Sequence, residues 1–317
     1  MDTLTNVSLI DRLYSNYLED IKGYFSEFSI IRYKLLLMTE YIISLSKLEL
    51  FELTNEEIEY MKSIYKNITV GECKKLKNLL DINTYEEFLK KKINLNKSLE
   101  DKGVSIFINF SLIDEDIYNL VNIIIIKNVN MKILLPKLSN LLNNIKKKIL
   151  EWSKIAILTR INHKINTPSF LGKELLIFYE RLVIQSRKLN LIKYTCKFGG
   201  SNGNFNSLHL SLPNIDWIDF GDKFITLLGM ERNQYTTRYD HLDNYSEIFH
   251  IIIRINNILL DMNNYLRQNI ELDYIELDTI NIININEIES LLLISNNSLN
   301  FLADILPKKH YLNNLLL

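Results

Sequence analysis

The sequence predicts an all-α protein: an elongated bundle of long helices with a smaller N-terminal helical domain. Three observations predict it. The 317 residues include only nine glycines and four prolines, the two residue types that punctuate or break regular structure. Hydrophobic residues make up 47% of the chain, enough to fill a sizeable core. Long stretches place their apolar residues at the three-and-four spacing that builds one helical stripe.

In chain order, residues 1–102 read as the smaller helical domain. The polar run "NLNKSLEDKG" ending at Gly103 marks its boundary. Residues 103–317 read as the central long-helix domain. Within it, Leu138, Leu141, Leu142, Ile145, Ile149 and Trp152 form one stripe, with Lys146, Lys147 and Lys148 mostly on the other side. The segment "LLIFYERLVIQSRKLNLI" after Gly172 forms a second. Tyr245, Ile248, Phe249, Ile252, Ile255, Leu259 and Met262 form a third. After Pro136, most glycines and prolines fall between Pro168 and Gly229, so irregular backbone concentrates there, where loops carry function.

Charge and cysteine usage exclude several classes. Lys+Arg 37 against Asp+Glu 38 leaves a formal net charge of -1, without the basic field that holds a nucleic-acid backbone or an anionic membrane. Cys73 and Cys196 stand far apart, with neither metal-ligand spacing nor the density of a disulfide framework. The N-terminal residues lack the basic start and apolar block of a secretory signal, and the run "LVNIIIIKNV" is shorter than a membrane span. These features predict a cytoplasmic protein with no nucleic-acid or membrane partner. They call for no metal and no cofactor.

The stretch "YTCKFGGSNGNFNSLHLSLPNIDW" (194–217) holds three of the nine glycines and one of the four prolines. It lacks the Lys-Ser/Thr of a phosphate-binding loop and is not set between a strand and a helix. A tight interhelical turn and a functional loop both fit it.

Four segments together carry a resemblance: "RINHKINTPSFLGKE" (160–174), "CKFGGSNGNFN" (196–206), "LPNIDWIDFGDKFITLLGMERNQYTTR" (212–238) and "DNYSEIFHIIIRINNILLDM" (243–262). In order and spacing they resemble consecutive segments of the bacterial-type adenylosuccinate lyase family, of the fumarase/aspartase lyase superfamily. Residues 8–34, 85–93 and 107–120 resemble its flanking segments. The resemblance implies an all-helical fold in which long helices of four subunits form one core, hence a homotetramer, with each active site built from loops of three subunits. It implies β-elimination of fumarate from a purine nucleotide substrate, in purine biosynthesis. The chain ends at Leu317, where that family continues into a C-terminal helical domain, so the resemblance implies that this domain is missing.

Such a reaction needs a base, an acid and groups that hold a dianion. At the family's general-acid position, after "LTR", the chain reads Ile161-Asn162-His163. Asn162 cannot cycle a proton, and His163, one residue later, is the displaced candidate acid or else a surface or interface histidine. The family's base is a serine on a mobile glycine-containing loop that should fall between Leu272 and about Ile285. Here the interval holds neither serine nor glycine before Ser290, which predicts that the base loop is absent. The substrate-binding candidates implied are Tyr14, Asp81, Lys197, Asn206 and Arg238. Arg238 stands where the family has glutamine and is suited to hold a carboxylate bidentately. Asp114 stands where the family receives anionic substrate with Thr-Ser, an unfavourable exchange. Impaired lyase activity is one expectation; a catalytically inactive helical oligomer or scaffold is the other.

Overall fold

The computed structural model describes residues 19–76, 82–161, 164–275 and Leu291. In chain order its principal helices are α1 (Glu27–Ser46), α2 (Asn55–Lys66), α3 (Ile82–Asn94), α4 (Asp114–Val129) and α5 (Leu135–Glu151). A hairpin follows, β1 (Ala156–Ile161) and β2 (Lys164–Phe170), then α6 (Leu171–Leu191). Next come β3 (Thr195–Cys196), α7 (Asn206–Ser211), α8 (Trp217–Leu227), β4 (Glu231–Arg232) and α9 (Asp243–Glu271). The fold is mostly helical, as the scarce glycine and proline predict. The strands are additions that helical periodicity did not signal. β3 and α7 flank the glycine loop, so it does lie between a strand and a helix, contrary to the sequence expectation, because the two-residue β3 is set by pairing with the remote β4.

The chain divides into two compact units. The first comprises, among the described residues, 21–76, 82–127 and 193–244. Gly103, the expected boundary marker, lies inside it, in left-handed backbone just after the helical turn Lys97–Asp101. Helix starts here follow capping chemistry: Ser26 accepts from the Ser29 amide, and Thr54 with Glu57 forms a reciprocal capping box. Glu57 also receives Lys102 and the Ser98 hydroxyl, each at 2.7 Å. Burial works to raise its pKa, but these bonds outweigh burial and hold it down at about 2.

An aromatic cluster forms the core beneath the irregular segments of this unit. The Tyr41 ring meets Phe198, Phe220 and Phe224 edge-on at centroid distances of 6.1, 6.1 and 5.6 Å, the arrangement that ring quadrupoles favour. Its hydroxyl donates to the Phe110 carbonyl at 2.8 Å. Trp217 opens α8 fully buried, its indole donating to the Leu212 carbonyl at 3.0 Å. At the other end of α8, the Lys127 ammonium donates to the Leu228 and Gly229 carbonyls, placing a cation on the negative end of the helix.

The second unit comprises the described residues 19–20, 128–161, 164–192, 245–275 and Leu291. Between α4 and α5 the helix widens to a π turn at Asn130–Leu134, and the Leu135 amide reaches back to the Asn130 carbonyl. Pro136 accounts for it: a proline has no N–H for the ladder and crowds the preceding turn, so the backbone expands there. The helical run through this turn is long and apolar enough to cross a membrane by length and composition, but it is mostly buried inside the fold. On α5, Leu138, Leu141, Ile145 and the following Trp152 are buried as the stripe predicts. Lys148 is buried too, its ammonium 2.8 Å from Glu151 and over the Trp152 ring. Gly172 lets α6 approach, because a side chain there would lie 2.5 Å from the Ile149 carbonyl oxygen. The α9 stripe is buried from Tyr245 through Met262 as expected.

Candidate functional site

The irregular segments of the first unit meet at the N-terminus of α4. The loop before it carries Asn109 and Ser111 with φ of 52° and 62°, the left-handed region that non-glycine residues rarely adopt. The glycine loop contributes Gly200 and Gly203 at φ 75° and 77°, and Phe205 at 53°. At Gly203 a Cβ would collide with the Thr236 carbonyl oxygen, so only glycine lets the loop lie against the segment leading to Arg238. Strained backbone of this kind persists only where its surroundings enforce it.

Asp116, in the first turn of α4, enforces it. Its Oδ1 accepts from Lys197 Nζ at 2.5 Å and from the Gly199 amide at 3.3 Å. Its Oδ2 accepts from the Gly200 amide at 3.1 Å and from Ile113 at 3.3 Å. Lys197 Nζ also donates to the Gly200 carbonyl at 2.7 Å. Both side chains of this ion pair are 0% exposed. A buried pair earns its place only when its remaining bonds are satisfied, and removing one partner strands the other charge.

One turn along α4, Asn119 extends the network. Its carbonyl oxygen accepts from the Lys197 amide at 2.9 Å, and its Nδ2 donates to Asp240 at 3.0 Å. Asn233 Nδ2 donates to the other Asp240 oxygen at 2.8 Å. Burial raises the Asp240 pKa, and its two amide donors and neighbouring His241 offset this only in part. His241 Nε2 lies 2.7 Å from the Tyr235 carbonyl; a carbonyl only accepts, so Nε2 carries the hydrogen.

At the rim, the Arg238 guanidinium forks onto Glu115, Nε to Oε1 at 2.9 Å and Nη2 to Oε2 at 3.2 Å. Burial works to raise the Glu115 carboxyl, and the Arg238 contact outweighs it, so its pKa falls below the usual range. Behind α4, the Lys34 ammonium lies 4.5 Å from the Tyr85 ring centroid and 4.6 Å from that of Tyr118. Burial lowers its pKa to about 8, and the charge of Asp114 partly opposes that.

The structure thus brings Lys197 and Arg238 to one corner, each bound to a carboxylate of the α4 first turn. Asn206 is exposed in the first turn of α7, and Asp114 is exposed at the start of α4. Tyr14, Asp81 and His163 lie outside the described residues, as does most of the interval expected to lack the base loop. Sequence reasoning missed Asp116, Asn119, Glu115 and Asp240. The available signal was the acidic triplet Asp114-Glu115-Asp116 opening a helix, with Asp116 and Asn119 three residues apart on one face. Among the described residues, no three His, Cys, Asp or Glu side chains gather as a metal site.

Comparison with known proteins agrees with this architecture. A family model described as "Lyase" matches residues 45–281. Adenylosuccinate lyase of Dictyostelium discoideum is 35% identical over 83% of this chain and 59% of the relative. That of Buchnera aphidicola subsp. Schizaphis graminum is 30% identical over 86% of this chain and 62% of the relative. The chain therefore spans about 60% of the length of these curated relatives. Among solved structures, a fumarate lyase from Mesorhizobium sp. BNC1 superposes with a TM-score of 0.70 at 11% identity, covering 90% of this chain and 66% of that one. A β-carboxy-cis,cis-muconate cycloisomerase from Acinetobacter calcoaceticus gives 0.67 at 13% identity, over 92% and 77%. At such identities these two speak for the fold, and the family match for descent: this chain belongs to the lyase family, as a homologue of adenylosuccinate lyases.

Proposed function

We propose that the chain is an adenylosuccinate lyase-like protein of purine nucleotide biosynthesis, eliminating fumarate from adenylosuccinate or the related succinyl-carboxamide ribotide, with impaired chemistry and no cofactor. The observation that carries this reading is the Asp116–Lys197 tie between the α4 N-terminus and the glycine loop, set in a chain whose curated relatives bear that name. Lys197 shapes the loop, Asn206 and Arg238 offer exposed polar groups beside it, and Tyr14 and Asp81 complete the proposed binding set. His163 is the proposed displaced acid. We place the protein in the cytoplasm, apart from nucleic acid and membrane.

The assembly proposed is a homotetramer built on the long helices. On α6, Ile177, Ile184 and Leu191 are exposed at seven-residue intervals, and Ile253 and Leu260 repeat that interval on α9. Such a stripe suits helix packing between copies.

A second reading, an inactive helical scaffold, is favoured by the interval 272–289, which holds no serine. Loss of a positioned acid or base costs about 10²–10⁴ in rate for each. The discriminating experiment follows fumarate release from adenylosuccinate by the purified protein and its His163→Ala variant. Turnover that disappears in the variant supports the displaced acid. Equal turnover removes His163 from the mechanism, and none in either protein leaves the scaffold reading.

A further inference from the structure

We infer that Glu115 is a specificity-determining residue that occupies, from within the protein, the carboxylate-binding edge of Arg238. The inference rests on the site reading above and deepens it by assigning what holds the site against a dicarboxylate.

Arg238 presents to Glu115 the Nε and Nη2 pair, the edge of a guanidinium that docks a carboxylate side-on with two parallel bonds. Both are taken, although the Arg238 side chain is 53% exposed and Glu115 only 19%. An exposed arginine ordinarily exchanges partners freely with solvent and ligands. This one is held from both sides. Its segment is pinned by the Asn233–Asp240 bond and by His241 on the Tyr235 carbonyl. Glu115 projects from the first turn of a helix whose next residue, Asp116, is locked to the glycine loop. A carboxylate held this way competes at a high effective concentration against one arriving from solution. Glu115 is also held ionised, since its pKa is depressed by the arginine.

The surrounding charges act in the same direction. The positive end of α4 and the buried Lys197 would both favour an anion, yet Asp114, Glu115 and Asp116 fill the first turn and Asp116 neutralises Lys197. A ligand carboxylate taking that side-on edge of Arg238 displaces Glu115 and leaves it beside Asp114. Removing the Glu115 charge frees the fork and relieves that repulsion together.

The test is fumarate binding, by calorimetry or ligand-observed NMR, to the wild-type chain, Glu115→Gln and the double variant Glu115→Gln/Arg238→Ala. Uncharged fumaramide serves as control ligand, and thermal melts verify folding. Glu115→Gln is expected to bind fumarate at least about ten-fold more tightly than wild type, the double variant to lose that gain, and fumaramide to show no such difference. Equal affinity of wild type and Glu115→Gln overturns the inference, as does a double variant that binds as tightly as the single one, or binding by none of them. Should Glu115→Gln fail to fold, Glu115→Ser makes the same comparison. A gain in fumarate binding without fumarate release from adenylosuccinate leaves this inference standing and overturns the lyase reading.

Discussion

Lys34 shows how one residue can couple this fold to pH. Its ammonium lies over two tyrosine rings, Tyr85 and Tyr118, and its side chain is nearly all buried. The rings attract a cation, but desolvation dominates and brings the pKa from 10.5 to about 8. Between those values the unfolded chain binds more protons than the folded one, so stability from this group rises with pH. It is fully present above the unfolded value and lost as pH falls through about 8. The change is on the order of 3 kcal/mol. Urea denaturation at several pH values between about 8 and 10.5 should show rising stability in the wild type, and Lys34→Met should flatten that rise. A parallel slope in the variant would assign the pH effect elsewhere. Nothing in the sequence around Lys34 signals this environment, because its two rings come from different helices.

At the scale of elements, the glycine loop stands out because its conformation is set from outside it. Gly203 has φ 77° and rests against the Thr236 backbone. Gly203→Ala therefore adds left-handed strain of about 1–2 kcal/mol and a steric clash besides. Gly23, in the helical stretch 19–25, has open space for 4 Å around where a Cβ would stand, and Gly23→Ala should stabilise by up to ~1 kcal/mol through helix propensity. Thermal melts of the two variants should shift in opposite directions; a Gly203→Ala melt at or above wild type would contradict the packing described. The cluster of glycines was legible in the sequence as irregular backbone, a turn or loop. What it packs against was not, since Asp116 and Thr236 are remote in sequence. The hairpin β1–β2 was also illegible by helical periodicity: nearly all its residues are exposed on β2, so no buried stripe announced it.

For the whole molecule, the proposal of self-association predicts a definite change of mass. Ile184 lies at the centre of the exposed stripe on α6. Sedimentation of the wild-type protein should show a tetramer, and Ile184→Lys should shift it to smaller species while circular dichroism keeps its helical signal. A monomeric wild type would remove the oligomer from both functional readings. Acting alone, the sequence determined the mostly helical class, the long helices and their buried stripes, the presence of the glycine loop and the family resemblance. Each of these is written in local spacing or in contiguous motifs. Only the tertiary structure decided that Lys197 faces inward onto Asp116, that Arg238 is held by Glu115, and that Lys34 is enclosed by tyrosines. Those outcomes depend on desolvation and charge pairing between residues about 50 to more than 120 positions apart, and pairing at that range leaves no periodic trace in the chain.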